Sequence, residues 1–223
     1  MRRLAGYIIS MMLVLWPILC KAQDSVTVHP SKLAVQVFAD VGKGVESVIG
    51  KQTKWELGAS AILTGKYNVT LEYGYGQLNP ESVINNGDYT SEGKYFRGGF
   101  EYMFTIKPKI YLSAGAMYAS SNFKDSGHVQ IISNIWDDVN VEFSREGQTA
   151  SWLEIIINTE MPLFKVEKPV LSNFFWGVRY RLRILTADIS QPDFDIYAIP
   201  GYGRTYSNVV PAINLFIKYR IDF

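Results

Sequence analysis

The chain has 223 residues, 48% of them hydrophobic, 14% aromatic and 19% charged, with a formal net charge of +1. That balance excludes a nucleic-acid binder of the basic-patch kind and an acidic disordered tail, and a single cysteine, Cys20, excludes a disulfide scaffold or a zinc site of cysteine pairs. Mean hydropathy is +0.01, too low for a bundle of membrane helices but compatible with a membrane barrel, where alternating apolar and polar residues cancel.

Residues 1–22 read as a secretory signal peptide. Arg2 and Arg3 precede an apolar run from Ile8 to Leu19, and Cys20-Lys21-Ala22 places small residues at the −3 and −1 positions before Gln23. The rival reading, lipidation of Cys20, wants a small residue where Leu19 stands. Cleavage removes the only cysteine and three bases, Arg2, Arg3 and Lys21, leaving 19 basic and 21 acidic residues in a single domain, 23–223.

Strand patterns follow, in order, at about 31–41, 53–63, 67–76, 94–104, 109–120, 150–160, 173–185 and 213–223. In the third, Tyr67, Val69, Leu71, Tyr73 and Tyr75 alternate with Asn68, Thr70, Glu72, Gly74 and Gly76. In the seventh, Phe174, Trp176, Val178, Tyr180, Leu182 and Ile184 oppose Asn173, Gly177, Arg179, Arg181 and Arg183. The last sets Ile213, Leu215, Ile217, Tyr219, Ile221 and Phe223 against Asn214, Lys218, Arg220 and Asp222. No window after the leader carries a helical period, so the links are expected to be loops. A strand of ~10 residues tilted by ~45° rises about 23 Å, near the ~25 Å apolar band of an outer-membrane barrel.

The links, at 42–52, 64–66, 77–93, 105–108, 121–149, 161–172 and 186–208, alternate long and short, apart from a rather long 161–172. Short periplasmic turns and long external loops give that rhythm, with both termini periplasmic. Within 121–149, Val129–Trp136 and Val139–Phe143 look extended, so two strands are expected to run beyond the membrane. Alternation alone also fits a lipocalin-like barrel. Gly58, Gly74, Gly76, Gly99, Gly115 and Gly177 decide between them: all share the polar face, where the crowded lumen of an eight-stranded barrel needs small residues. The fold class is therefore all-β, an eight-stranded antiparallel transmembrane β-barrel of the outer membrane.

Lys94-Tyr95-Phe96-Arg97-Gly98-Gly99-Phe100, Ser151-Trp152-Leu153-Glu154, Gly177-Val178-Arg179-Tyr180-Arg181-Leu182-Arg183 and Ile199-Pro200-Gly201-Tyr202-Gly203 carry a resemblance. On these stretches the chain resembles a family of small, uncharacterised outer-membrane barrels of the Bacteroidetes type. The resemblance implies the fold and the compartment and brings no catalytic residues. Tyr219, Ile221 and Phe223, in the closing Lys218-Tyr219-Arg220-Ile221-Asp222-Phe223, look like the C-terminal signal read by the barrel assembly machinery.

The polar face supplies the candidate site. Glu56, Glu72, Glu101 and Glu154 and the bases Arg97, Arg179, Arg181, Arg183 and Arg220 fall at membrane depth. Unpaired charge in a narrow lumen is costly, so these are expected to pair, with acids on neighbouring strands offsetting the three alternate arginines. Such a network either plugs the barrel or lines an ion-selective pore; the narrow cross-section favours the plug.

Catalysis has only His29 and His128 to draw on in the mature chain, the latter beside Asp125 and Ser126 in an ordinary turn composition, and no enzyme is expected. The loop aromatics Trp136, Tyr197, Tyr202 and Tyr206 suit an extracellular ligand or surface partner at 121–149 and 186–208. Asp137-Asp138 is too little for a calcium loop, and Gly201–Gly203 lacks the context of a phosphate loop, so neither metal nor cofactor is expected. The leading role is that of a non-enzymatic structural or surface-recognition protein; a narrow channel or small-solute transporter is the alternative, and a lipid-modifying enzyme the third.

Overall fold

The computed structural model describes residues 33–50, 52–80, 84, 86–132, 137–165, 170–186 and 195–223. The leader, Cys20, His29 and Trp136 lie outside them. Among the described residues there are ten strands: β1 (Leu33–Asp40), β2 (Lys54–Leu63), β3 (Tyr67–Leu78), β4 (Gly87–Lys107), β5 (Ile110–Ile131), β6 (Val139–Pro162), β7 (Phe174–Leu185), the short β8 (Ala198–Ile199) and β9 (Gly203–Arg204), and β10 (Val209–Asp222). β1 to β7 and β10 close into one antiparallel barrel, in which β1 pairs with both β2 and β10; β8 and β9 form a separate two-stranded ribbon. The expected eight strands are all there, in the expected order.

The turns explain the register at the end that carries both strand termini. Thr64 and Gly65 both take positive φ (51° and 66°), the conformation that matches the twist of a two-residue hairpin. Pro108-Lys109 turns similarly tightly, with Lys109 at φ 62°.

The opposite end departs from expectation. The 42–52 link is not a loop throughout: Val41–Ile49 forms a helix, α1. Asp40 caps it, its carboxylate accepting from the Lys43 amide at 3.2 Å, and Ser47 Oγ donates back to the Lys43 carbonyl at 2.9 Å. Gly42 and Gly44 weaken the helical pattern in so short a stretch. As expected, β5 and β6, 22 and 24 residues long, carry much of 121–149 as sheet; β4, at 21 residues, extends beside them into the 77–93 link, expected to be a loop. A bulge between Phe123 and Asp125 bends this ribbon opposite Gly147, at φ 67°.

The outward face changes character at one level. Phe96, Phe100, Phe104, Tyr118, Leu153 and Ile155 are exposed apolar residues below it. Above it lie the paired positions Lys94, Asn122 and Thr149, and β4 to β6 stay largely polar outside. Apolar exposure continues round the barrel through Leu57, Val69, Leu71, Tyr73, Leu215 and Ile217. From Tyr67 to Tyr75 this band is eight residues tall, about 20 Å once tilted.

Candidate functional site: the charged lumen

Inward positions of five strands, β2, β3, β4, β6 and β7, bring together carboxylates and guanidinium groups removed from solvent. Arg97 on β4 donates from Nε to Glu154 at 2.8 Å, contacts Glu56, and lies 3.4 Å from Glu72. Arg181 on β7 reaches Glu154 at 2.7 Å, both oxygens of Glu72 at 2.9 and 2.8 Å, and Asn214 at 2.7 Å. Arg179 contacts Glu72 and bonds Glu101 at 3.0 Å, while its guanidinium lies near the Phe38 and Phe216 rings. Ser113, at 2.6 Å, Thr70, at 3.1 Å, and Asn68, at 3.4 Å, also donate to Glu101. The arginines of β7 are thus offset from across the lumen, by Glu72 on β3 and Glu101 on β4, as much as by Glu154 on neighbouring β6.

Four further charges belong to the interior. Lys218 donates to Glu160 at 2.6 Å, and Gln36 and Asn158 bond the same carboxylate at 2.9 and 3.0 Å. Lys43 descends from α1 to contact Glu56, bonds the Tyr95 hydroxyl at 2.9 Å and lies 3.5 Å from Asp40. Burial holds the Lys43 ammonium down at about 8, against the pull of Glu56. In this connected part of the interior six acids (Asp40, Glu56, Glu72, Glu101, Glu154, Glu160) therefore face six bases (Lys43, Arg97, Arg179, Arg181, Arg183, Lys218).

Seven of the nine sequence-derived charges join one cluster: Glu56, Glu72, Arg97, Glu101, Glu154, Arg179 and Arg181. Arg183 sits at its edge, 3.7 Å from Glu154. Arg220 does not join it. Its inward parity is right, but it lies toward the end of β10, where it pairs with Asp222 at 2.8 Å and packs on Tyr111. Glu160 and Lys218 share the inward parity of Glu154 and Asn214 and were readable from it; Lys43 was not, because it depends on α1. Of the C-terminal residues, Tyr219 packs on Phe174 with ring centroids 4.9 Å apart, and Ile221 and Phe223 are exposed.

Residues 195–208 of the 186–208 link close the upper end. Around Gly201, at φ 84°, the β8–β9 turn drops into the barrel, so that the Gly201 carbonyl accepts from Arg97 and the Tyr202 carbonyl from Arg183, each at 2.7 Å. Tyr202, expected as a surface anchor, is fully buried against Trp152; in this lid, carbonyl acceptance and aromatic packing outweigh exposure. Tyr197 packs on Tyr89, and Tyr206 is exposed. In β5, Asp125 faces inward to Tyr89 and Arg145, away from Ser126, while His128 lies 3.9 Å from Asp88. The Ser126–His128–Asp125 set therefore does not converge.

A family model described as a domain of unknown function (DUF6048) matches residues 4–223. The chain belongs to that family. No curated protein matches it in sequence. Among solved structures it is similar to the Neisserial surface protein A (NspA), at 13% identity and TM-score 0.41, over 86% of this chain and 98% of that one. It is also similar to Ail, the attachment invasion locus protein of Yersinia pestis, at 12% identity and TM-score 0.39, over 86% and 99%. A third is the N-terminal β-barrel domain of Pseudomonas aeruginosa OprF, at 10% identity and TM-score 0.36, over 86% and 98%. The barrel assignment rests on the closed strand register itself.

Proposed function

We propose that the chain is an outer-membrane β-barrel closed by its own side chains, with a non-enzymatic role: structural, or recognition of a surface partner. The observation that carries this reading is the pairing of an apolar exterior with a charge-balanced interior. A soluble barrel has no use for a continuous belt of exposed Leu57, Val69, Leu71, Phe96, Phe100 and Ile155, whereas lipid favours it. Inside, the guanidinium–carboxylate cluster and the β8–β9 lid fill the cross-section that a channel would need open.

The signal-peptide pattern of residues 1–22 supports export, and Tyr219, Ile221 and Phe223 suit handover to the barrel assembly machinery. With termini and short turns in the periplasm, the β4–β6 ribbon stands on the external side. Its length beyond the belt makes it the part best placed to meet a partner.

Cell fractionation with heat-modifiable electrophoresis tests the location. The chain is expected in the outer-membrane fraction, migrating faster unboiled than boiled. Recovery as a soluble periplasmic protein would overturn the reading.

A further inference from the structure

At the helix-bearing end, a cavity of about 280 Å³ lies between α1, the β8–β9 turn and the start of β10. Its charged wall residues are Lys43, Lys54, Arg183, Asp40 and Glu46, three cations against two acids. Lys43 is spent on Glu56, Tyr95 and Asp40, and Lys54 pairs with Glu46 at 3.0 Å. Arg183 is different. Its side chain is only 9% exposed, yet among the described residues its one hydrogen-bond acceptor is the Tyr202 carbonyl, and its Nε makes no hydrogen bond. The nearest carboxylate, Glu154 at 3.7 Å, is already engaged by Arg97, Arg181 and Trp152.

A buried guanidinium with unused donors is costly by itself and is well suited to a planar carboxylate. We propose that this cavity binds a small monocarboxylate, held by Arg183. With Lys43 held by Glu56 and Lys54 by Glu46, Arg183 is the one cation of the wall with no carboxylate in hydrogen-bond range among the described residues, which suits a singly charged anion, and the two acids disfavour a more highly charged phosphate. Leu78, Ala212 and Gly76 give the remainder of the ligand an apolar surface, and the volume limits it to metabolite size. This site lies above the charged cluster and does not depend on whether the lumen conducts.

Calorimetric titration of butyrate into the folded full chain in detergent tests it, with inorganic phosphate as comparison. Saturable one-site binding of butyrate is expected, with phosphate at least tenfold weaker. Arg183→Gln should weaken butyrate at least tenfold, and Arg183→Lys should weaken it too, since it keeps the charge and loses the fork. Ala212→Leu fills the cavity without touching a charge, and it decides the matter if the Arg183 variants fail to fold: it should abolish binding while heat-modifiable migration persists. Absence of saturable butyrate binding, equal or tighter phosphate binding, or unchanged affinity in Ala212→Leu would overturn the proposal.

Discussion

Glu72→Gln is the sharpest perturbation of the lumen. The Glu72 carboxylate is buried and faces three guanidinium groups: Arg179 in contact, Arg181 on both oxygens at 2.9 and 2.8 Å, and Arg97 at 3.4 Å. The substitution keeps shape and one acceptor oxygen but turns an amide N–H toward N–H donors, leaving five acids opposite six bases. Removing one partner of a buried ion pair costs about 3–5 kcal/mol. With a urea slope of ~2 kcal/mol/M, the unfolding midpoint should fall by about 2 M. Tryptophan fluorescence in lipid vesicles, checked by heat-modifiable migration, measures this. The double variant Glu72→Gln/Arg179→Gln restores neutrality and should recover at least ~1 kcal/mol relative to the sum of the single effects. A single-variant cost below about 1 kcal/mol, or strict additivity, would refute the claim that these charges hold the barrel together.

The belt gives a second expectation: Leu71→Arg, exposed near its middle, should cost about 2–4 kcal/mol in bilayers, against ~0–1 kcal/mol for Asn122→Arg at the polar level; equal costs would place the belt wrongly. At Gly74, an added Cβ would lie 2.4 Å from the Tyr95 ring and 2.8 Å from the Trp55 carbonyl, so Gly74→Val should lower stability by about 1–3 kcal/mol, read from the same urea curves. Lys43, held at about 8 when folded against 10.5 ordinarily, binds fewer protons folded than unfolded between those values. Its contribution therefore makes stability rise from pH 8 toward 10.5. The Lys43→Gln curve should lack that rise, and identical pH slopes in the two proteins would contradict it.

The barrel was legible because its two faces differ chemically at every second residue. Tyr67–Gly76 and Phe174–Leu185 announce inside and outside without reference to their neighbours. The same parity brought Glu56, Glu72, Arg97, Glu101, Glu154, Arg179 and Arg181 together, since strand alternation and a narrow lumen leave them nowhere else to point. Parity says nothing of height, and that is why Arg220 was misplaced. The full reach of β4 to β6 was only partly readable, because beyond the belt nothing requires an apolar exterior and the alternation fades into Lys, Asn, Ser and Gly. Nor could the lid be read from local pattern: Ile199-Pro200-Gly201-Tyr202 is a plain turn until Arg97 and Arg183 claim its carbonyls. In α1, nine residues with two glycines form a helix only because Asp40 and Ser47 hold its backbone.

Planar-bilayer recording of the purified, folded chain tests the central claim most directly. With Glu56, Glu72, Glu101 and Glu154 locked to Arg97, Arg179 and Arg181 beneath the Gly201 lid, the bilayer should show no discrete current steps, and Glu72→Gln should show none either. Reproducible single-channel openings by the unmodified chain would contradict the plug and make the lumen a conduit.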